Sequence, residues 1–197
     1  MSFVIGLTGS IGMGKSTTAR MFADEGCALW DSDAAVHRLY ARNGAAVAPI
    51  AALFPDAIAG GAVSREALRA IVAQDETALK KIERIVHPLV TEEQTQFIEE
   101  AASDIVILDI PLLYETGKDK DVDAVVVVTT SPEEQERRLA ERGAMTAEEL
   151  TRLRSKQMPD AEKRRRADFV VETNTLEEAR MQVRAILKQI RAELNNA

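Results

Sequence analysis

The chain has 197 residues, of which 46 % are hydrophobic, and its formal charge at pH 7 is −7. That length allows one sizeable core, and we expect a single domain over residues 1–197 that carries insertions. The negative charge argues against nucleic-acid binding, which needs a basic surface to displace counterions. The N-terminal apolar run is too short for a signal peptide or membrane span, and the single cysteine, Cys27, excludes an internal disulfide. We therefore expect a cytoplasmic protein with no membrane partner.

Five short apolar segments along the chain have the length of β-strands. None of them alternates polar with apolar residues, which is typical of strands buried on both faces of a parallel sheet. Helical patterns separate the segments, so the sequence predicts an α/β fold. Helix-capping patterns predict further helix starts at Ser131, Thr146 and Thr175. The predicted strands are residues 3–7, 28–30, 105–108, 124–128 and 169–171.

Two long insertions interrupt this pattern. The first, about residues 32–104, is alanine-rich, is punctuated by Pro49, Pro55 and two adjacent glycines, and contains no convincing strand. It is much longer than one crossover helix, so we expect a helical subdomain there. The second, about residues 131–160, is helical and rich in basic side chains. These side chains are Arg137, Arg138, Arg142, Arg152, Arg154 and Lys156.

The glycine-rich segment GSIGMGKS, residues 9–16, has the spacing of a phosphate-binding loop. It follows a predicted strand and precedes a predicted helix, as phosphate binding by backbone N–H groups at a helix N-terminus requires. We expect Lys15 to reach the β- and γ-phosphates of a nucleotide and the Ser16 hydroxyl to ligate Mg²⁺. A glycine-rich turn with an exposed lysine would explain neither the Lys-Ser pair nor the preceding strand.

The reaction of a bound nucleotide depends on the carboxylates that lie near its phosphates. Asp109 follows a predicted strand, at the sheet edge where open α/β folds bind ligands, and is a candidate for the metal side of the site. The alternative is an aspartate that begins a turn before Pro111. Asp31 and Asp33 follow another strand, and Asp33 leads into the first insertion. Asp33 is therefore a candidate base or orienting group for an attacking hydroxyl, and a helix N-cap is the alternative for either aspartate.

The arginines of the second insertion have two interpretations. Arg138 and Arg142 share a helix face, where like charges repel unless an anion lies between them. A closing lid would place such groups on the transferred phosphoryl group and exclude water. Ordinary helix ion pairs are the alternative, because Glu134 precedes Arg138 by four residues. For the basic run at residues 163–166 we expect a solvated helix face.

Taken together, these features resemble the dephospho-CoA kinase family over residues 5 to about 174. The similarity rests on six motifs in the family's order, namely GLTGSIGMGKS, DSDAAVHRLY, the His87-Pro88 pair, VILDIPLLYE, QERRLAER and KQMPDAEKRRRADFVV. The resemblance implies a three-layer α/β/α P-loop kinase fold with a five-stranded parallel sheet, a helical substrate-binding insertion and a helical lid. It also implies transfer of the γ-phosphoryl group of ATP to the ribose 3′-hydroxyl of dephospho-CoA, with Mg²⁺ as the cofactor.

The resemblance also implies roles for individual residues. Asp33 would orient or deprotonate the 3′-hydroxyl, Arg142 would contact phosphates, and Asp109 would be the metal-side carboxylate. Thr8 is expected to face the acceptor, and His87 matches the family's histidine without an assigned role. The ATP phosphates would be held by Gly12, Met13, Gly14, Lys15, Ser16 and Thr17.

The residues alone leave other functions open. A kinase for another small hydroxyl or monophosphate acceptor would share the same loop, and a GTPase-type switch is an alternative from another class. We find no Asn-Lys-x-Asp element for guanine in the sequence. We expect ATP and dephospho-CoA as substrates of a monomer or weak homo-oligomer. The chain departs from the family after ADFVV, where the family often reads Asp-Asn and this chain reads Glu172-Thr173-Asn174.

Overall fold

The structure is a computed structural model that describes residues 2–142, 151, 155 and 157–196. The chain divides into two compact units. One unit combines the residues up to Leu29 with those from Ala101 onward, and the other is Trp30–Glu100. None of the described helices is both long and apolar enough to cross a membrane.

Seven strands and eight α-helices occur in the described part of the chain. The strands are β1 (Phe3–Thr8), β2 (Ala28–Asp31), β3 (Ile58–Ala59), β4 (Ala62–Val63), β5 (Ile105–Asp109), β6 (Ala124–Thr129) and β7 (Phe169–Glu172). The helices are α1 (Lys15–Asp24), α2 (Ser32–Tyr40), α3 (Val47–Leu53), α4 (Arg65–Gln74), α5 (Glu76–Glu100), α6 (Pro132–Arg142), α7 (Asp160–Arg166) and α8 (Leu176–Asn196).

Five of the strands form one sheet in the order β2-β5-β1-β6-β7. Strand β1 pairs in parallel with both β5 and β6, and β6 pairs in parallel with β7. All five strands predicted from apolar runs are confirmed. Strands β1, β5 and β6 are buried along almost their whole length, so they need no alternation of polar and apolar residues. In the register of β1 and β5, Leu7 lies opposite Asp109. The segment after β1 therefore starts next to the end of β5.

The core of the first unit lies between the sheet and helices α1 and α8. Strand residues such as Ile5, Ile107 and Val126 are fully buried there, and Phe22 of α1 packs with them. Cys27 belongs to the same cluster and is 6 % exposed, as expected for a small apolar residue. Helix α8 buries one face at three- and four-residue spacing, which is the pattern of an amphipathic helix. Its buried residues are Ala179, Val183, Ile186, Leu187 and Ile190.

The second unit has a helical core of its own, in which Leu39, Ile50 and Ile82 are buried. The expectation of no strand in this region is wrong in one detail. Strands β3 and β4 form a two-residue antiparallel pair around Gly60 and Gly61. Strands of two residues are too short to produce a pattern that can be recognised in a sequence.

Two of the predicted helix starts are confirmed by their caps. The Ser131 hydroxyl accepts the Glu134 N–H at 3.2 Å, and the Thr175 hydroxyl accepts the Glu178 N–H at the same distance. These side chains satisfy N–H groups that have no partner within the helix, which is why the capping pattern is visible in the sequence. The predicted start at Thr146 lies outside the described residues.

Candidate active site

The glycine-rich segment connects β1 to α1, and two of its glycines have left-handed backbone conformations. Gly12 has φ +82° and Gly14 has φ +87°. Residues with a side chain rarely adopt such angles, so glycine is required at both positions. Gly14 is the N-cap of α1, and its carbonyl accepts the N–H groups of Thr17 and Thr18 at 3.1 and 3.0 Å. The helix therefore begins directly at Lys15.

Lys15 and Asp109 form an ion pair at the carboxyl ends of the central strands. The Lys15 side chain is 15 % exposed and the Asp109 side chain 4 %. The register of β1 and β5 explains the contact, because it places Asp109 next to the residues that lead into the loop. The structure thus brings together two residues that the sequence separates by 94 positions.

Helix α6 packs against the loop through Gln135 and Leu139. The Gln135 side-chain amide donates to the Ile11 carbonyl at 2.7 Å. A Cβ atom at Gly12 would lie 3.1 Å from Leu139 Cγ and 3.2 Å from Gln135 Cγ. This close approach is a second reason for glycine at Gly12. No role was predicted for Gln135 from the sequence, although it is the first residue of the QERRLAER motif.

Arg138 of α6 forms an ion pair with Glu134, which was one of the two roles considered for it from the sequence. Its Nε lies 2.7 Å from Oε1 of Glu134. Hydrogen bonds from Arg137, and to a lesser extent from Arg138, lower the pKa of Glu134 to about 2. Arg138 also reaches the turn after β7, where its guanidinium bonds to the hydroxyl and the carbonyl of Thr173. The pair is therefore part of a contact between α6 and that turn.

A cavity of about 320 Å³ opens beside the start of α1. It lies between the loop, α6 and the β7–α8 turn, and both polar and apolar side chains line it. Its position next to the N-terminus of α1 suits the nucleoside part of a molecule whose phosphates lie on the loop. The lining includes Gly14, Thr17, Arg138, Thr173, Asn174 and Leu176.

The two aspartates at the junction of β2 and α2 have different positions in the second unit. Asp31 is the N-cap of α2, and its Oδ1 accepts the N–H groups of Asp33 and Ala34 at 2.8 and 2.9 Å. Asp33 lies in the first helical turn, and its side chain is exposed. The capping alternative thus applies to Asp31, and the carboxylate of Asp33 is presented to solvent.

Thr8, at the end of β1, is fully buried, and its hydroxyl donates to the Pro111 carbonyl at 3.0 Å. Contact with an acceptor would require this bond to be exchanged. Ser16 and Thr17 lie exposed in the first turn of α1. Arg142 is the last residue of α6, and its side chain is outside the described part of the structure.

The basic run at residues 163–166 is not wholly a solvated face. Arg164, Arg165 and Arg166 are exposed, but Lys163 is fully buried. Its ammonium lies 3.0 Å from the Glu115 carboxylate and 3.5 Å from the Pro111 carbonyl. The expectation was wrong for Lys163 because four consecutive basic residues on a helix point in different directions, and one of them turns toward the sheet.

The loop and Asp109 offer donors that fit a magnesium ion. Within the described residues, no three His, Cys, Asp or Glu side chains form a metal cluster. Mg²⁺ keeps several waters and takes one or two protein oxygens together with phosphate oxygens. The Ser16 hydroxyl and the Asp109 carboxylate, both in the first unit, are oxygen donors of that kind.

The chain is similar to a known protein family and to several known proteins. The dephospho-CoA kinase family model matches residues 3–178. A dephospho-CoA kinase of Ruegeria pomeroyi is 59 % identical over 192 residues, which are 98 % of each chain. A protein of known crystal structure from Thermus thermophilus is 34 % identical, with a TM-score of 0.83 over 98 % of each chain.

The same fold occurs in the dephospho-CoA kinase of Campylobacter jejuni. That structure has a TM-score of 0.69 at 24 % identity, over 96 % of this chain and 98 % of its own. At this identity the similarity bears on the fold alone. It supports the three-layer α/β/α P-loop kinase architecture of the sheet and its helices. From the family match and the close relative, this chain belongs to the dephospho-CoA kinase family.

Proposed function

We propose that this protein transfers the γ-phosphoryl group of ATP to the ribose 3′-hydroxyl of dephospho-CoA, giving coenzyme A and ADP. Its membership of the dephospho-CoA kinase family indicates the reaction. The observation that carries the proposal is the position of Lys15. It begins the helix after a phosphate-binding loop and forms an ion pair with Asp109 at the carboxyl end of β5.

Phosphoryl transfer needs alignment and charge stabilisation more than covalent chemistry, because its transition state is loose. We assign the phosphates of ATP to the backbone N–H groups of the segment from Gly12 to Thr17. The ammonium of Lys15 has three N–H donors, so it can bond to Asp109 and still donate to phosphate oxygens. Its charge would then lie next to the bond that breaks.

We also assign the magnesium ion to Ser16 and Asp109. The Ser16 hydroxyl lies one residue after the lysine, at the start of α1, and Asp109 ends the neighbouring strand. A bound Mg²⁺ would neutralise charge on the phosphate oxygens. The ion pair with Lys15 orients the Asp109 carboxylate toward the loop side of the sheet edge.

For the acceptor, we propose that Asp33 orients or deprotonates the 3′-hydroxyl. Its exposed position in the first turn of α2 supports this role, because Asp31 already satisfies the N–H groups there. We place the acceptor subdomain at about residues 32–104 and the lid at about residues 131–160, with Arg142 as the lid residue that contacts phosphates. Both substrates are small molecules, and we propose that a monomer or weak homo-oligomer acts on them in the cytoplasm.

The proposal is tested by incubating the purified protein with Mg-ATP and dephospho-CoA, and by omitting each component in turn. ADP and the mass of the acceptor product are measured together. We expect ADP formation that depends on the acceptor, with coenzyme A as the product. ATP binding without any phosphorylation of dephospho-CoA would contradict the proposal and would send the search to other hydroxyl acceptors.

A further inference from the structure

Thr173, in the turn between β7 and α8, contacts the phosphate-binding loop directly. Thr173 is 6 % exposed, and its hydroxyl donates to the Met13 carbonyl at 2.8 Å. Arg138 approaches from α6. Its Nη1 donates to the Thr173 hydroxyl oxygen at 2.9 Å, and its Nη2 donates to the Thr173 carbonyl at 2.5 Å. The threonine therefore links the loop to the arginine.

The direction of the Thr173 hydroxyl proton follows from counting donors. A hydroxyl has one proton and two acceptor lone pairs, and Arg138 uses an acceptor position. The Thr129 carbonyl lies 3.2 Å from the same hydroxyl, but it already accepts the Thr173 N–H at 2.9 Å. The Met13 carbonyl is nearer, so the proton points to the loop. Donation from the charged guanidinium polarises the hydroxyl and strengthens this bond.

The Met13 carbonyl belongs to the peptide unit that carries the Gly14 N–H. Because a peptide unit is planar and trans, its C=O and N–H point in opposite directions. Holding the carbonyl on Thr173 therefore directs the Gly14 N–H away from Thr173. Gly14 is the N-cap of α1, where backbone N–H groups bind phosphate. The side chain of Thr173 thus sets the orientation of an amide in the loop.

The packing around Gly14 leaves little freedom for this arrangement. A Cβ atom added at Gly14 would lie 3.0 Å from Thr173 Oγ1 and 3.0 Å from Arg138 Nη1. The loop, the threonine and the arginine are therefore in contact with no intervening space. Arg138 also donates from Nε to Oε1 of Glu134 at 2.7 Å, so Thr173 is connected through Arg138 to a second residue of α6.

We propose that Thr173 is a positioning residue for phosphoryl transfer, which holds the Gly14 amide in the orientation that binds phosphate by bridging the Met13 carbonyl and Arg138. This inference rests on the proposed function, since it takes ATP as the ligand of the loop. It also assigns a role to a position where this chain differs from the family's Asp-Asn sequence. Here the hydroxyl of Thr173 bridges the Met13 carbonyl and Arg138.

The test compares Thr173→Val, which removes the hydroxyl, with Thr173→Ser, which keeps it. Thr129→Val is the matched control, because Thr129 is also a buried threonine but its hydroxyl donates to Asp160. The dissociation constants of ATP and of inorganic tripolyphosphate are measured for each folded variant, together with the KM values for ATP and dephospho-CoA. Thr173→Ala replaces the valine variant if the latter does not fold.

We expect Thr173→Val to weaken both ATP and tripolyphosphate about tenfold, the scale of one lost buried hydrogen bond. The KM for dephospho-CoA should stay within about twofold, the serine variant should bind like the wild type, and Thr129→Val should leave both affinities unchanged. Unchanged tripolyphosphate binding in Thr173→Val, or equal losses in Thr129→Val, would overturn the proposal. Binding is measured without turnover, so a wild type inactive on dephospho-CoA refutes the proposed function separately.

Discussion

Lys15 combines two roles that depend on one charge. The structure pairs its ammonium with Asp109 in a nearly buried position, where electrostatic interactions are much less screened than at the surface. The same ammonium is the group that we assign to the ATP phosphates. A side chain held in this way is already ordered before it is needed, so less entropy is lost when it meets a phosphate.

Lys15→Met removes the ammonium and keeps the aliphatic stem. We expect kcat to fall by about 10²- to 10³-fold, as for the loss of one preorganised charge-stabilising donor. The measurement is coupled ADP release at saturating ATP, with thermal unfolding to verify that the variant folds. Lys188→Met, on the exposed side of α8, is the control and should keep wild-type activity. Wild-type turnover in a folded Lys15→Met protein would refute the role of Lys15.

Asp33→Asn keeps the shape of the side chain and removes its charge. If Asp33 acts on the 3′-hydroxyl as a base, kcat should fall by about 10²- to 10⁴-fold while ATP binding is retained. Asp31→Asn is a close control, because asparagine caps helices as well as aspartate and the fold of α2 should persist. Should Asp33→Asn raise the KM for dephospho-CoA without lowering kcat, Asp33 would be a binding residue.

At the scale of elements, helix α8 is attached to the first unit by its apolar face and by ion pairs at its edges. Arg191 donates to both oxygens of Asp104, and Arg184 donates to Glu25. The hydrogen bond from Arg191 lowers the pKa of Asp104 below its usual 3.8. Asp104 lies just before β5, and its carbonyl accepts the Phe3 N–H at 2.8 Å. Asp104 thus connects α8 to the N-terminal ends of β1 and β5.

This pair predicts a dependence of stability on pH. The folded carboxyl of Asp104 has a lower pKa than the unfolded one, so its contribution is complete above the unfolded pKa and is lost as the pH falls through the folded pKa. Asp104→Asn lacks that contribution at every pH. We expect the difference in unfolding free energy between wild type and variant to be largest near pH 7 and to shrink below about pH 4.

Urea unfolding at pH 7, 5, 4 and 3 measures this difference directly. The comparison between the two proteins removes the contributions of the other carboxylates, which both share. A difference that stays constant over the whole range would mean that the ionisation of Asp104 does not contribute to stability.

At the scale of the whole molecule, the two units have separate apolar cores, and each contains one convenient probe. Cys27 is buried in the first unit, and burial raises the pKa of its thiol from 9.0 to about 11. Trp30, the only tryptophan, is 2 % exposed in the second unit. Strand β2 begins in one unit and ends in the other. Cys27 and Trp30 lie three residues apart on either side of the boundary after Leu29, so we expect a single unfolding event to expose both.

We expect Cys27 to react very slowly with a thiol reagent at pH 8 in the folded protein, since the thiolate is the reactive form and the sulfur is buried. Its reactivity should rise over the same urea range as the change in Trp30 fluorescence, because coincident transitions by different probes indicate one cooperative event. Clearly separated midpoints would show that the two units unfold independently. Rapid labelling without urea would contradict the burial of Cys27.

Several features follow from the sequence alone because they depend on short stretches of chain. The five strands of the large sheet are visible as apolar runs, and the caps at Ser131 and Thr175 are visible as polar residues at fixed spacing. The glycines of the loop are also local, because a positive φ excludes most other residues. Together with the order of its motifs, these features were enough to indicate the family.

Only the tertiary structure decided which distant residues meet. The register of β1 and β5 brings Asp109 to Lys15, and no spacing in the sequence specifies that register. In the sequence Thr173 has no feature that distinguishes it from other turn residues. Its contacts with Arg138 and with the loop arise only from the packing of α6. From the sequence Lys163 was expected to be a surface charge, and only the packing of α7 shows that it is buried against Glu115. Local preferences act over a few residues, whereas these contacts form only when whole elements bury their apolar faces against one another.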